Sequence, residues 1–303
     1  MKVHAVFNRD GGTFRTTDMV LFAKTAKEVF ERHGHSFESE LVAGKHIVKA
    51  LRSVAAEAGE HVLMAGGGDG TISAAADVAW KAKVPLAVLP AGTMNLFARA
   101  LKIPLELNAA LESLASGTIE TVDISTANEE SFVHQFSIGF QPQMIKLRNT
   151  LEFRSRWGKR LASMRAFAKA MGDPPRFTVR LVLDGAATVR TVSAISIVNN
   201  PYGQGMLPVP DRIDRGELGV YIADRLTPAA LMKLAFTVLT GSWRRNRDVD
   251  EILAKEVELH FPHLRRSAKA TIDGELIPLP RDVKIAIHAG ELKVLVPSGA
   301  WNK

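Results

Sequence analysis

Near Thr121 the chain changes texture, and this change limits the architecture more than any other feature of the sequence. Up to about Gly117, short β-rich runs alternate with helical periods: KVHAVFN, a helix from about Thr17 to His33 stopped by Gly34, SFESELV, then the helical GKHIVKALRSVAAEAG. HVLMAG, a helix after Thr71, PLAVLPAG and MNLFARAL continue the alternation, which predicts a parallel sheet covered by helices on both faces. From Thr121 onward TVDIS, SFVHQFSI, RFTVRLVLDG, TVRTVSAISIVNN, GELGVYIA, EVELHFP, AKATIDGE, VKIAIHAG and ELKVLVP read as strands, with only two good helices between them. The expected fold class is α/β followed by β: an α/β domain over residues 1–122, then a mainly antiparallel β-sandwich over 123–290. At 303 residues, 46% apolar and 23% charged, there is chain enough for two cores.

Several function classes drop out early. The chain has no cysteine, which excludes disulfides and thiolate metal sites and fits a reducing compartment. MKVHAVFNRDGG has neither a signal-peptide core nor a cleavage site. The longest apolar helical candidate, Ala229 to Trp243, is too short for a span and contains Lys233, so a soluble, cytoplasmic protein is expected. The nine histidines show no H-E-x-x-H spacing, and no G-x-S-x-G elbow is present.

In the first half, HVLMAGGGDGTIS (His61 to Ser73) runs from a buried-strand pattern through glycines into a helix. A helix starting there leaves unpaired backbone N–H groups aimed outward, a ready anion site. Glycines cost entropy on folding, so a run of them implies close backbone approach to a ligand. The plainer alternative is a tight turn with Asp69 capping the helix. The loop is not the dinucleotide fingerprint, because Thr71 stands where its third glycine belongs, and it lacks the lysine of a Walker A loop. VLPAGTMNLFARAL repeats the pattern with Thr93 and Asn95 at the next strand end, and VHAVFNRDGGT does so with Asn8, Arg9, Gly11, Gly12 and Thr13. Open α/β sheets bind ligands at those carboxyl ends, so three loops are expected to converge on one anion site.

GGGDGT at Gly66 to Thr71, PAGTMNLFARAL, VDIS at Val122 to Ser125, FSIGF at Phe136 to Phe140, VNNPYG at Val198 to Gly203 and DGE at Asp273 to Glu275 resemble, in order and spacing, the diacylglycerol kinase family of lipid kinases. The resemblance covers nearly the whole chain. It implies a Rossmann-like nucleotide-binding domain of the kind shared with sphingosine kinases, NAD kinases and phosphofructokinases, a β-sandwich for the lipid, and a cleft between them. It further implies transfer of the γ-phosphoryl group of ATP, with Mg²⁺, to a lipid hydroxyl. On the family's pattern Asn8, Gly66, Gly67, Gly68, Asp69, Gly70, Thr71, Gly92, Thr93 and Asn95 belong to the nucleotide site. Asp69 and Asp123 join the network around Mg²⁺ through water, Glu275 is the general base, and Asp273 supports the site. The family's C-terminus can return to the first domain, and residues 290–303 are placed to do so. Taken alone, TIDGEL is a hairpin signal, and such a turn can still present a carboxylate to a cleft.

This chain also departs from the family. Ala74 stands where many members have glutamate, and Arg9 follows Asn8 in place of proline. In PDRIDRGEL, Arg215 replaces the second aspartate of Asp-Asp-Gly, which binds a structural magnesium; a cation cannot ligate Mg²⁺, so that metal site is expected to be absent. His134 occupies a position where asparagine is frequent and is expected to make a core or inter-domain hydrogen bond.

Between Gln143 and Met171 eight basic residues face Glu152 alone, a segment charge of +7 that equals the formal net charge of the whole chain. Phe153, Trp157, Leu161, Met164, Ala168 and Met171 recur at helical spacing in the same segment. One reading is a solvated basic face over a stripe packed on its own domain. The other is peripheral contact with anionic phospholipid, joined by SWRRNRD (Ser242 to Asp248). No recognised nucleic-acid module accompanies the basic helix. A non-catalytic nucleotide or lipid sensor on the same fold, and more distantly an NAD kinase, are the alternatives to a lipid kinase.

Overall fold

The computed structural model describes residues 1–143, 145, 172, 174–205, 208–224, 226–239 and 248–301. The basic helix expected over residues 143–171 lies, apart from 143 and 145, outside the described residues, as does SWRRNRD before Asp248.

Four parallel strands open the chain: β1 (Lys2–Asn8), β2 (Ser36–Val42), β3 (Val62–Gly67) and β4 (Leu86–Pro90), in the spatial order β4-β3-β1-β2. Every residue of β3 and β4 is buried, as strands covered on both faces require. The helices between them are α1 (Met19–Arg32), α2 (Ile47–Ala55) and α3 (Asp69–Ala82), followed by α4 (Leu96–Ala100) and α5 (Leu107–Ala115). The step from β1 to β2 runs one way along the sheet and the later steps run the other way. Right-handed crossovers therefore put α1 on one face and α2 and α3 on the opposite face. Accordingly α1 packs with α5, and α2 with α3. Helix α1 starts two residues later than its periodicity suggests, because Asp18 caps it, accepting from the Val20 and Leu21 N–H groups at 3.1 Å.

The second half is antiparallel: β5 (Thr118–Ala127), β6 (Glu130–Phe132), β7 (Gln135–Gly139), β8 (Phe177–Leu183), β9 (Ala186–Asn199), β10 (Leu218–Asp224), β11 (Asp250–Ala254), β12 (Glu256–His260), β13 (Lys269–Ile272), β14 (Glu275–Pro278) and β15 (Asp282–Val296). One further helix, α6 (Pro228–Leu239), lies between β10 and β11. Strand β9 pairs with β8 and then β7 along one edge and with β10 along the other, turning the corner of a sandwich-like domain. Phe136, Ile138, Leu181, Ile197, Val220 and Phe261 lie in its core. No helix among the described residues is long and apolar enough to cross a membrane.

Two strand expectations need correction. SFVHQFSI is two strands, β6 and β7, because the Val133 and His134 N–H groups turn to the Asp273 carboxylate rather than to a neighbouring strand. VKIAIHAG and ELKVLVP are a single 15-residue strand, β15, with a register shift between His288 and Leu292 around Gly290 (φ +65°). Beyond the shift, Val294 and Leu295 pair in parallel with Leu86 and Ala87 of β4, and residues from Leu292 to Val296 enter the core of the first half. Helix α3 faces the second half with Ser73, Asp77 and Trp80, an i, i+4, i+7 stripe. Their partners are Asp273 (2.7 Å), Ser131 (2.8 Å) and Glu291 (2.9 Å).

Candidate active site

The three loops predicted from the strand ends meet. The Thr13 N–H donates to the Ala91 carbonyl and the Ala91 N–H to the Gly67 carbonyl, each at 2.9 Å, while Asn8 Nδ2 donates to Thr71 Oγ1 at 2.9 Å. The glycines divide into two groups. A Cβ on Gly66 would lie 2.7 Å from the Phe7 ring, one on Gly67 2.6 Å from Thr71, and one on Gly92 2.6 Å from the Gly68 Cα. Those three are small so that protein can pack against protein. Gly68 and Gly70 are different: a Cβ on Gly68 would meet only the Gly92 Cα, at 3.5 Å, and one on Gly70 only Glu275 Oε1, at 3.4 Å. Only these two leave room for the close approach to a ligand expected of the whole run.

Asp69 does not cap α3. The cap position is Gly68, with no side-chain bond, and Asp69 turns across to the neighbouring loop, accepting from the Leu96 N–H at 2.7 Å and the Asn95 N–H at 3.1 Å. Asn95, in the left-handed region (φ +50°), brackets Gly92 with both ends of its amide, at 2.8 and 2.9 Å. Its side chain is therefore committed to loop shape, while Thr93 is exposed. Among the described residues the N–H groups of Asp69, Gly70 and Thr71 have no acceptor. Three adjacent free donors at a helix start are the arrangement that suits an anion such as phosphate.

Asp273 and Gly274 form the two-residue turn between β13 and β14, with φ +45° and +88°, the primed geometry that matches strand twist. The Asp273 carboxylate accepts four hydrogen bonds: from Ser73 Oγ at 2.7 Å and from the N–H groups of Val133, His134 and Gln135 at 2.9–3.0 Å. Glu275 follows, exposed, with Oε1 over Gly70. Hairpin and carboxylate presentation are thus both realised. His134 is enclosed beside this turn; burial holds its imidazole below the usual value, although the Asp273 and Asp69 carboxylates pull it upward.

Asp123 sits elsewhere in the joint. It is 1% exposed and accepts from the Gly216 N–H at 2.7 Å and the Gly290 N–H at 2.8 Å. It fastens the β15 irregularity to the loop before β10. Asn199 braces it, donating to the Asp123 carbonyl at 2.9 Å and accepting from Ser125 Oγ at 2.7 Å. The donor set bears on Mg²⁺ in a definite way. No three carboxylate or imidazole groups cluster among the described residues, and both oxygens of Asp69 and of Asp123 already accept an N–H. Asp69, only half-buried, retains lone pairs for a bridging water, so a metal that brings phosphate and water ligands fits there. Direct ligation by Asp123 does not fit. Around Arg215, the Asp214 carboxylate is held bidentately by Arg212, at 2.8 and 2.5 Å. Sequence reasoning passed over Ser73 and Asn199. The polar stripe Ser73, Asp77, Trp80 on an otherwise apolar helix was the signal for the first.

Residues 2–127 match the family model described as "Diacylglycerol kinase catalytic domain", and residues 139–296 match "YegS C-terminal NAD kinase beta sandwich-like domain". Over 273 residues the chain is 29% identical to a protein of Mycobacterium tuberculosis named "Diacylglycerol kinase", covering 85% of this chain and 84% of that one. It is 25% identical over 252 residues to an "Uncharacterized protein" of Synechocystis sp., covering 79% of this chain but only 57% of the length of that relative. Among solved structures, a diacylglycerol kinase from Bacillus anthracis str. Sterne shares the fold with a TM-score of 0.70 at 15% identity, over 99% of this chain and 98% of that one.

Proposed function

The chain belongs to the diacylglycerol kinase family of lipid kinases, and from that membership we propose that it transfers the γ-phosphoryl group of ATP to the hydroxyl of a diacylglycerol-like lipid. One observation carries this reading: Glu275 Oε1 stands over Gly70 at the mouth of the phosphate cradle, although the two residues lie far apart in sequence.

Phosphoryl transfer asks mainly for positioning and charge neutralisation. The free N–H groups of Asp69, Gly70 and Thr71 hold phosphate oxygens at the start of α3, and the open faces of Gly68 and Gly70 admit them. Glu275 takes the proton of the acceptor hydroxyl as its oxygen forms a bond to the γ-phosphorus and the bond to the bridging oxygen of ADP breaks. Asp273 positions Glu275 by fixing the turn on four donors. Mg²⁺ bound with the nucleotide would supply positive charge at the phosphate oxygens, and Asp69 would be the residue to hold it, through water. The tie of Asp214 to Arg212 and the cationic Arg215 support a chain without the family's second metal site. Peripheral contact with anionic lipid through the basic residues between 143 and 171 belongs to the same proposal, supported by the segment charge of +7.

The test is incubation of the purified protein with γ-labelled ATP, Mg²⁺ and a panel of lipids in mixed micelles. Label is expected in the lipid extract and to be lost in Glu275→Gln. Nucleotide binding without transfer to any lipid would favour a sensor, and label on NAD an NAD kinase.

A further inference from the structure

Val133 and His134 join β6 to β7, and with Gln135 they turn three consecutive N–H groups onto the Asp273 carboxylate at 2.9–3.0 Å. The His134 carbonyl accepts the Asn199 N–H at 2.9 Å, so the backbone of this residue is fixed on both sides. Its ring is not. Val133 and Gln135 are buried, whereas His134 is only half-buried and its imidazole makes no hydrogen bond among the described residues. The hydrogen bond expected of this residue is made by its N–H and not by its side chain.

The ring stands where the two halves meet beside the start of α3. Ile272 pairs with Phe136 and the Asp273 N–H donates to the Gln135 carbonyl, so the next position, Gly274, lies opposite His134. A Cβ on Gly274 would meet nothing within 4 Å, and Glu275 follows it with Oε1 over Gly70. From the other half, the Asp273 carboxylate that holds His134 also takes the Ser73 hydroxyl of α3 at 2.7 Å. Asp69 is four residues earlier on the same helix face, about 6 Å along the axis. The imidazole accordingly feels both carboxylates, and the Tyr202 ring flanks it with its centroid 6.2 Å away. Either carboxylate could have paired with the ring, but both already accept other donors: Asp273 four of them, and Asp69 the Asn95 and Leu96 N–H groups. Burial keeps the imidazole neutral, and in that state it carries one N–H donor. A donor set in place by its backbone, touching solvent and unspent, is preorganised for a group that enters the cleft. Of the phosphates of a bound nucleotide, the one beside Glu275 is the γ-phosphate, because the acceptor hydroxyl must meet it there.

We propose that His134 is a further catalytic residue, donating its ring N–H to an oxygen of the phosphoryl group in transfer. This rests on the kinase reading and adds to it a contact that tells a nucleoside triphosphate from a diphosphate.

The experiment measures calorimetric binding of β,γ-imido-ATP and of ADP, each with Mg²⁺ and without lipid. His134→Ala is expected to weaken the triphosphate analogue about 10- to 100-fold, the worth of a hydrogen bond to a charged group, and to leave ADP unchanged. His134→Gln, which keeps an N–H donor of similar reach, is expected to restore most of the difference. Thermal melting identifies variants that fail to fold. A second readout needs no variant that alters the cleft: in wild-type protein labelled with ¹⁵N-histidine, the His134 ring signal is expected to shift with the analogue and not with ADP. Parallel loss of both nucleotides in folded His134→Ala, or a ring signal that responds equally to both, overturns the proposal and leaves the kinase reading standing if the wild type still labels lipid. A His134-dependent preference for the triphosphate without transfer to any lipid leaves the contact standing and sinks the kinase reading instead. Absence of nucleotide binding by the wild type overturns both.

Discussion

The Ser73 hydroxyl donates to the Asp273 carboxylate at 2.7 Å, joining helix α3 of the first half to the β13–β14 turn across two hundred residues of sequence. Because that carboxylate also takes three backbone N–H groups, Asp273→Asn turns an amide NH₂ toward donors and leaves at least one unmet. The expected cost is about 2–3 kcal/mol, and Ser73→Ala costs about 1 kcal/mol. Urea unfolding of both variants checks the order; equal stability of Asp273→Asn and wild type would refute the four-donor role.

Glu275 is exposed and bears no such structural duty. Glu275→Gln is expected to lower kcat roughly 10²- to 10⁴-fold, the range for losing a positioned general base, with melting temperature retained. Wild-type turnover in this variant removes Glu275 from the chemistry.

Gly92 and Gly68 face one another, yet they are predicted to respond differently to alanine. A Cβ on Gly92 would strike the Gly68 Cα at 2.6 Å and Asn95 Oδ1 at 2.9 Å, so Gly92→Ala forces the two loops apart at a cost of about 1–3 kcal/mol. The Cβ of Gly68→Ala has room and occupies the open mouth, so stability is kept and ATP affinity falls. Paired melting and nucleotide titrations distinguish the two; loss of stability in both variants contradicts the division.

His134 gives the fold a pH dependence of known sign. Burial lowers its pKa from the ordinary 6.5, the Asp273 and Asp69 carboxylates offsetting part of that shift. The unfolded chain therefore binds a proton that the folded chain resists, and the contribution to stability, complete above about pH 6.5, is lost as pH falls below it. In denaturant titrations from pH 7.5 to 5, the decline is expected to be shallower for His134→Gln than for wild type. An unchanged slope excludes His134 as its source.

Reversing the charge of Lys146, Arg148, Arg154 and Arg156 to glutamate is expected to abolish co-sedimentation with anionic vesicles at low salt, each basic residue near a surface contributing about 1 kcal/mol. Undiminished binding counts against the membrane role of the segment.

The sequence made legible what depends on local pattern: the parallel strands, the three converging loops and the Asp-Gly hairpin; the placement of Glu275 came from the family resemblance. It did not reveal which duty each polar atom performs. Asp69 suits a cap as well as a cross-loop tie, and only the position of Asn95 and Leu96 decides between them. Asp123 is assigned to the Mg²⁺ network on the family's pattern, and residue type says nothing of the two glycine N–H groups that fold back onto it from 93 and 167 positions away.

Strand β4 has β3 on one side and the end of β15 on the other. During synthesis, then, the α/β half emerges from the ribosome early but stays open along one flank until residues 282–296 have been translated. Its final closure is coupled to completion of the antiparallel half, so a nascent chain halted in between exposes a bare hydrophobic edge to chaperones and proteases rather than a finished α/β unit.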